Sequence, residues 1–338
     1  MHLKKKIPLI ISIISTLFYF SALKAEIKAV TSIKPIHSLV SYIMEGVGSP
    51  DLIVDGYNSP HGFSLKPSHA KMLQEADIVI YVGEGLEEFL EKPLESLAQN
   101  AVKFELLKQS GMKKLKFRER NIFEGHDDHD DHGHGKKKKD DHDDHDDHDH
   151  DKKAKKEDHD DHGHDDHGHG HGEFDPHIWL DPMNAKIIVK KVTNQLSKLD
   201  KDNSSTYKSN SKKALKEIDN LIKQVKSDIN KDAKVVVFHD AYQYFEKRFD
   251  VNIIGALTVN TDVLPGAEQL AEIREVIEHE KVTCVLSEPQ FNPDIVKTIA
   301  NDTNINMGVL DPLGAKLDKG KTLYFNLISN ISSSLKNC

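Results

Sequence analysis

Between His126 and His171 the chain carries no Leu, Ile, Val or Phe, yet it holds 14 of the 21 histidines. Such a stretch cannot bury enough apolar surface to offset the entropy of ordering it, so it is expected to be disordered. No compact core can run through it, and whatever folds must fold on either side. The whole chain has 338 residues. That length leaves room for two lobes, each with its own core.

The unusual electrostatics sit in the same place. The segment holds 17 Asp and one Glu against eight Lys, a balance of −10, whereas the full chain stands at −9. The remainder is therefore close to neutral, at +1. It offers no basic patch, so nucleic acid is not an expected partner.

The first residues read MHLKKKIPLIISIISTLFYFSALKAEIKAV. Three lysines, an apolar run of about fifteen residues and the small residues Ala22 and Ala25 spell a secretory signal peptide. We expect cleavage after Ala25; the run is short for a membrane span of about 20 residues, although an uncleaved anchor is the alternative. No cysteine follows that could carry a lipid. The expected product is a soluble, exported protein of the periplasm.

Two cysteines occur, Cys284 and Cys338. In an oxidising compartment such a pair reads as one disulfide, with two unrelated thiols as the alternative. The bond would tie the C-terminal tail to a strand and close a loop of about 54 residues, worth about 4 kcal/mol in the chain-entropy treatment. No Cys-x-x-Cys points to redox catalysis or a thiolate zinc site.

On the N-terminal side of the insertion, apolar β-branched runs alternate with helical patterns. The runs EIKAVTSI (26–33), DLIVDG (51–56), DIVIYVG (77–83) and VKFELL (102–107) are separated by PIHSLVSYIMEG, KPSHAKMLQEA and LEEFLEKPLESL. This alternation predicts βα units and a parallel sheet. After the insertion, Ile188, Val192, Leu196 and Leu199 mark one helix. Tyr207, Ala214, Ile218, Leu221, Val225 and Ile229 mark a second, with Asp202 and Asn203 as a cap. Over 204–231 that helix would be about 42 Å long. The strand and helix grammar then resumes with KVVVFHD (234–240), VNIIGAL (251–257), VTCVLSE (282–288) and INMGVLDP (305–312). The expected fold is α/β: two βα lobes with parallel four-stranded sheets, joined by a long rigid helix. The expected divisions are a signal peptide (1–25), an N-terminal metal-binding lobe (26–123), a disordered His/Asp-rich loop (124–172), a segment entering the cleft with the connecting helices (173–232), and a C-terminal metal-binding lobe (233–338).

Ligands of open α/β sheets bind beyond the carboxyl ends of the strands. His61, in GYNSPHGFS, falls just past one such strand, and His239 ends another. His177 lies in FDPHIWLDP, where the chain leaves the insertion, and Asp311 ends the run INMGVLDP. Three imidazoles and a carboxylate form a sensible tetrahedral shell for Zn²⁺. Imidazole also suits Cu, Ni and Co, and carboxylate-rich sites suit Mn. Of the other histidines, His37 is expected to be structural, while His69 and His279 are expected on solvated faces.

The stretches SPHGFSLKPS, HIWLDP, FHDAYQYFEKRF and SEPQF followed by LDPLG, with the two cysteines and the His/Asp-rich insertion, carry a resemblance. The chain is similar to the periplasmic zinc-binding proteins of high-affinity zinc ABC transporters, the ZnuA type of metal-specific solute-binding protein. The resemblance spans nearly the whole mature chain. It implies metal held in the cleft by His61, His177 and His239, and a Cys284–Cys338 bond. Some zinc members carry a glutamate where this chain has Pro60, so Asp311 becomes the expected fourth ligand, with water as the alternative. Manganese members place a carboxylate at the position of His239, so Zn²⁺ is expected over Mn²⁺. The implied partner is an inner-membrane ABC permease with its cytoplasmic ATPase, served by a monomer.

The implied task is capture and delivery of Zn²⁺, with no catalysis. The insertion is expected to offer weaker, interchangeable metal sites through His126, His129, His132, His134, His142, His145, His148, His150, His159, His162, His164, His167, His169 and His171. A secreted zinc hydrolase would need an open coordination position and a general base, for which Glu288 is the available residue. A storage protein acting through the insertion alone would not need His61, His177 or His239.

Overall fold

The computed structural model describes residues 26–83, 85–118, 120–122, 173–259, 261, 263 and 265–338. The expected signal peptide and the fourteen histidines of the insertion lie outside these residues.

Each lobe is built on one four-stranded parallel sheet. In the first, β1 (Ala29–Ile33), β2 (Asp51–Val54), β3 (Ile78–Tyr81) and β4 (Val102–Glu105) lie in the order β2-β1-β3-β4. In the second, β5 (Lys234–His239), β6 (Asn252–Thr258), β7 (Cys284–Ser287) and β8 (Asn306–Val309) repeat that wiring as β6-β5-β7-β8. Parallel neighbours need crossovers, and helices supply them. These are α1 (Lys34–Met44), α2 (Pro67–Glu75) and α3 (Glu91–Ser96) in the first lobe. Every residue of β1 and β3 is buried, as a sheet covered on both faces requires.

Two helices connect the lobes: α4 (Pro182–Leu199) and α5 (Ser204–Asp228). The second lobe contributes α6 (Gln243–Phe249), α7 (Ala267–Glu280), α8 (Asp294–Thr303) and the C-terminal α9 (Leu323–Lys336). The stripe Tyr207, Ala214, Ile218, Leu221 and Val225 is buried as its spacing predicts. The helix stops at Asp228, three residues before the expected end. Asn203 stands at its N-cap without a capping side-chain bond. Its Nδ2 instead donates to Asp200 Oδ2 at 2.7 Å, an oxygen that also accepts from the Tyr207 hydroxyl at 2.8 Å. The long helix does more than bridge. It packs on α1, α4 and α9, and α9 in turn packs on α1, so the last helix of the chain returns to the first lobe.

Directed bonds reinforce this junction. Lys34, only 4% exposed, donates to the carbonyls of Ala315 (3.1 Å) and Leu317 (2.7 Å). Trp179 Nε1 donates to Pro312 O at 2.8 Å, and the Tyr324 N–H donates to Ser38 Oγ at 2.9 Å. The expected disulfide is present: Cys284, the first residue of β7, is bonded to Cys338 with 5.5 Å between Cα atoms.

Candidate metal centre

The repeated wiring sets the carboxyl ends of the strands of each lobe beside a common cleft. His61 sits in the loop between β2 and α2, and His239 is the last residue of β5. His177 opens a short 3-10 turn, Ile178–Leu180, that leads into α4. Three features hold that turn. Ile178, Trp179 and Leu180 are fully buried. The Asp181 side chain caps α4 by accepting from the Met183 N–H at 2.8 Å. Arg248 of α6 grips the same carboxylate with two contacts of 2.7 Å. The chain is thereby fixed immediately after His177.

Among the described residues, His61, His177 and His239 form the one group whose potential ligand atoms all lie within 4.8 Å of one another. His177 and His239 are 4% exposed. Their Nε2 atoms are 3.3 Å apart. The opposite nitrogen of each ring faces a carboxylate: His177 Nδ1 lies 2.8 Å from Asp175 Oδ1, and His239 Nδ1 lies 2.7 Å from Glu288 Oε1. An Nδ1 proton donated to a carboxylate leaves the Nε2 lone pair free. Two such lone pairs repel at this distance unless a cation or a shared proton lies between them. Nitrogens bound at about 2.0–2.1 Å to a tetrahedral Zn²⁺ are separated by about 3.3 Å, so this gap suits that ion.

The electrostatics agree. Burial drives the His177 imidazole well below its ordinary range, and neighbouring His239 adds to the effect. Burial also opposes charge on His239, but adjacent Glu288 outweighs it and the net shift is upward. The Asp175 carboxyl is pushed up to about 7 by burial, against the stabilising backbone N–H of His177. Burial likewise raises Glu288. Imidazole lone pairs and buried carboxyl groups crowd one dry spot, an arrangement that a divalent cation relieves.

Asp311 lies outside this group. Its carboxylate accepts from Gln290 Nε2 (2.9 Å) and from the backbone N–H groups of Leu313 (3.0 Å), Gly314 (2.9 Å) and Ala315 (2.6 Å). Four donors commit it to the turn after β8.

Asp175 carries a role that sequence reasoning missed, although its place two residues before His177 was the available signal. Glu288, weighed above as a general base, is bonded to the His239 ring on the side away from His177. Of the remaining histidines, His37 is buried and its Nε2 contacts Pro50 O at 3.1 Å, a structural role as expected. The His279 side chain is exposed, also as expected. His69 is a correction: it is buried and its Nδ1 accepts from the Lys66 N–H at 3.1 Å, closing the start of α2.

A cleft of about 260 Å³ opens beyond the three rings, walled by Phe63, Phe89, Phe117, Asp240 and Val259. Among the described residues no helix is long and apolar enough to cross a membrane.

Comparison with known proteins matches residues 29–338 to the family described as zinc-uptake complex component A, periplasmic. The chain is 45% identical to the high-affinity zinc uptake system protein ZnuA of Brucella abortus, over 91% of this chain and 90% of that protein. It is 33% identical to the protein of that name from Yersinia pestis, over 93% and 92% of the two chains. Among solved structures, a crystal structure of ZnuA superposes with a TM-score of 0.69 at 20% identity, covering 92% of this chain and 100% of that one. The solute-binding protein FpvC of Pseudomonas aeruginosa, in complex with Mn²⁺, gives 0.70 at 17%, covering 93% and 98%. At those identities the superpositions speak to the two-lobed fold, while the family match and the closer sequence relatives go further: the chain belongs to the family of periplasmic zinc-uptake components, ZnuA.

Proposed function

We propose that this protein captures Zn²⁺ between its lobes in the periplasm and delivers it to the permease of an ABC transporter for uptake. The observation that carries the reading is the convergence of His61, His177 and His239, with two Nε2 atoms at the spacing a tetrahedral ion needs. The names of its sequence relatives support the same cargo. It acts as a monomer and performs no catalysis.

The ligand set proposed is the three histidines. Asp311 could complete it by surrendering its four hydrogen bonds; otherwise water fills the fourth position. Nitrogen ligands outnumber carboxylates here, which favours Zn²⁺ over Mn²⁺. The lobes move little on binding, because buried Lys34, Trp179 and the return of α9 hold them together. The His/Asp-rich insertion adds weaker metal sites.

Isothermal titration of the mature chain with Zn²⁺ and Mn²⁺ tests this, with His239→Ala as comparator. One tight Zn²⁺ site that the substitution weakens about a hundred-fold is expected, roughly 3 kcal/mol for one ligand in four. Unchanged affinity in the variant would refute the site.

A further inference from the structure

The strap formed by residues 115–118 and 120–122 leaves the first lobe; it is fastened at one end to the segment that carries His177 and to α6, and at the other to β6. At its start the Asp175 N–H donates to Leu115 O at 2.9 Å, Lys116 bridges Phe174 in antiparallel fashion, and Gln243 Nε2 donates to Lys116 O at 3.1 Å. At its far end the Ala256 N–H donates to Asn121 O at 2.7 Å, and Ile122 bridges Gly255 on β6. A Cβ at position 255 would lie 2.7 Å from Asn121 O, so this approach requires glycine.

Between these anchors stands Arg118. Its Nη1 pairs with Asp240 Oδ1 at 2.8 Å and its Nη2 with Glu246 Oε2 of α6. The side chains of Asp240 and Glu246 are 8% and 5% exposed, and that of Arg118 17%, so the clasp is shielded from solvent. Asp240 directly follows His239. Leu115 holds the backbone of Asp175, whose carboxylate orients His177.

We infer that Arg118 is a positioning residue for the metal centre: its two-pronged grip locks the strap at 115–118 against Asp240, which directly follows β5, and against α6, and so sets His177 and His239 in register. The inference rests on the zinc-capture reading. Groups that orient ligands without touching the metal commonly change affinity by about 10–100-fold when removed.

The test compares the mature wild type with Arg118→Ala and Arg118→Lys. Zinc affinity is read by chelator competition, site geometry by the visible spectrum of the Co²⁺-loaded protein, and folding by thermal melting of metal-free protein. We expect Arg118→Ala to bind Zn²⁺ about 10–100-fold more weakly, with an altered Co²⁺ spectrum. Arg118→Lys, which keeps the charge but cannot fork to both carboxylates, should fall between, and it decides the matter if the alanine variant does not fold. Variants within twofold of wild type overturn the inference, as does weaker binding with an unchanged Co²⁺ spectrum, which reports lost stability alone. A wild type that takes up no stoichiometric Zn²⁺ overturns the capture reading itself, and the inference with it.

Discussion

The Nε2 atoms of His177 and His239 face each other at 3.3 Å, although 62 positions separate the two residues in sequence. Neither ring is free to turn away, because Asp175 holds one by Nδ1 and Glu288 holds the other. The proposed centre is thus ordered by carboxylates behind the rings, on the side away from the facing Nε2 atoms.

Asp175→Asn and Glu288→Gln should therefore each weaken Zn²⁺ binding by about 10–100-fold while leaving the three histidines in place. An amide can no longer anchor the ring tautomer as an anion does. Competition against a chelator of known affinity measures the change, and wild-type affinity in both variants would remove the carboxylates from the account.

Asp311 makes the opposite prediction. Its four hydrogen bonds tie down the turn 311–315. Asp311→Ala should cost about 1–3 kcal/mol of folding stability, since it strands buried donors. Zinc affinity should shift by a few-fold at most. A hundred-fold loss of affinity in a protein that melts normally would mean that the carboxylate swings over to the metal.

The pH dependence of folding has an identifiable contributor in Glu87, which is 2% exposed. Its carboxyl oxygens accept the Val82 and Gly83 N–H groups at 3.1 and 2.9 Å, yet burial dominates and pushes it from 4.5 up to about 7. The folded protein keeps a proton that the unfolded chain has released. This contribution is complete below about pH 4.5 and is lost as the pH rises through about 7, a change of about 3 kcal/mol. Denaturant titrations of wild type and Glu87→Gln across that window should differ in slope, with the variant flatter. Parallel pH profiles would show that another group is responsible.

Reducing or removing the Cys284–Cys338 bond, which spans 54 positions, should lower stability by about 4 kcal/mol. Cys338→Ser and wild type with a reductant should melt alike, both below the oxidised protein. A melting temperature that does not respond to reductant would deny the bond any stabilising role.

Both sheets were legible from the residues because fully buried parallel strands read as short apolar runs between helical ones. The run at β8 was the weakest: only Asn306–Val309 pair, at an exposed edge, out of the eight residues expected from INMGVLDP. The three histidines were legible as strand-end and turn residues. Asp311 looked equivalent by position, but the backbone amides of residues 313–315 claim it, and their direction is a property of the folded turn. Asp175 was hidden for a related reason, since an aspartate before Pro176 reads first as a turn former. The burial of His69 depends on Phe63 stacking against it across the β2–α2 loop, which helical spacing cannot reveal.

The return of α9 to α1 has a consequence for how the molecule is made. The part of α1 that α9 covers stays open until α9 has been made, so the first lobe cannot complete its packing ahead of the rest as an independent unit. Removing α9 should therefore be felt at α1, in the other lobe.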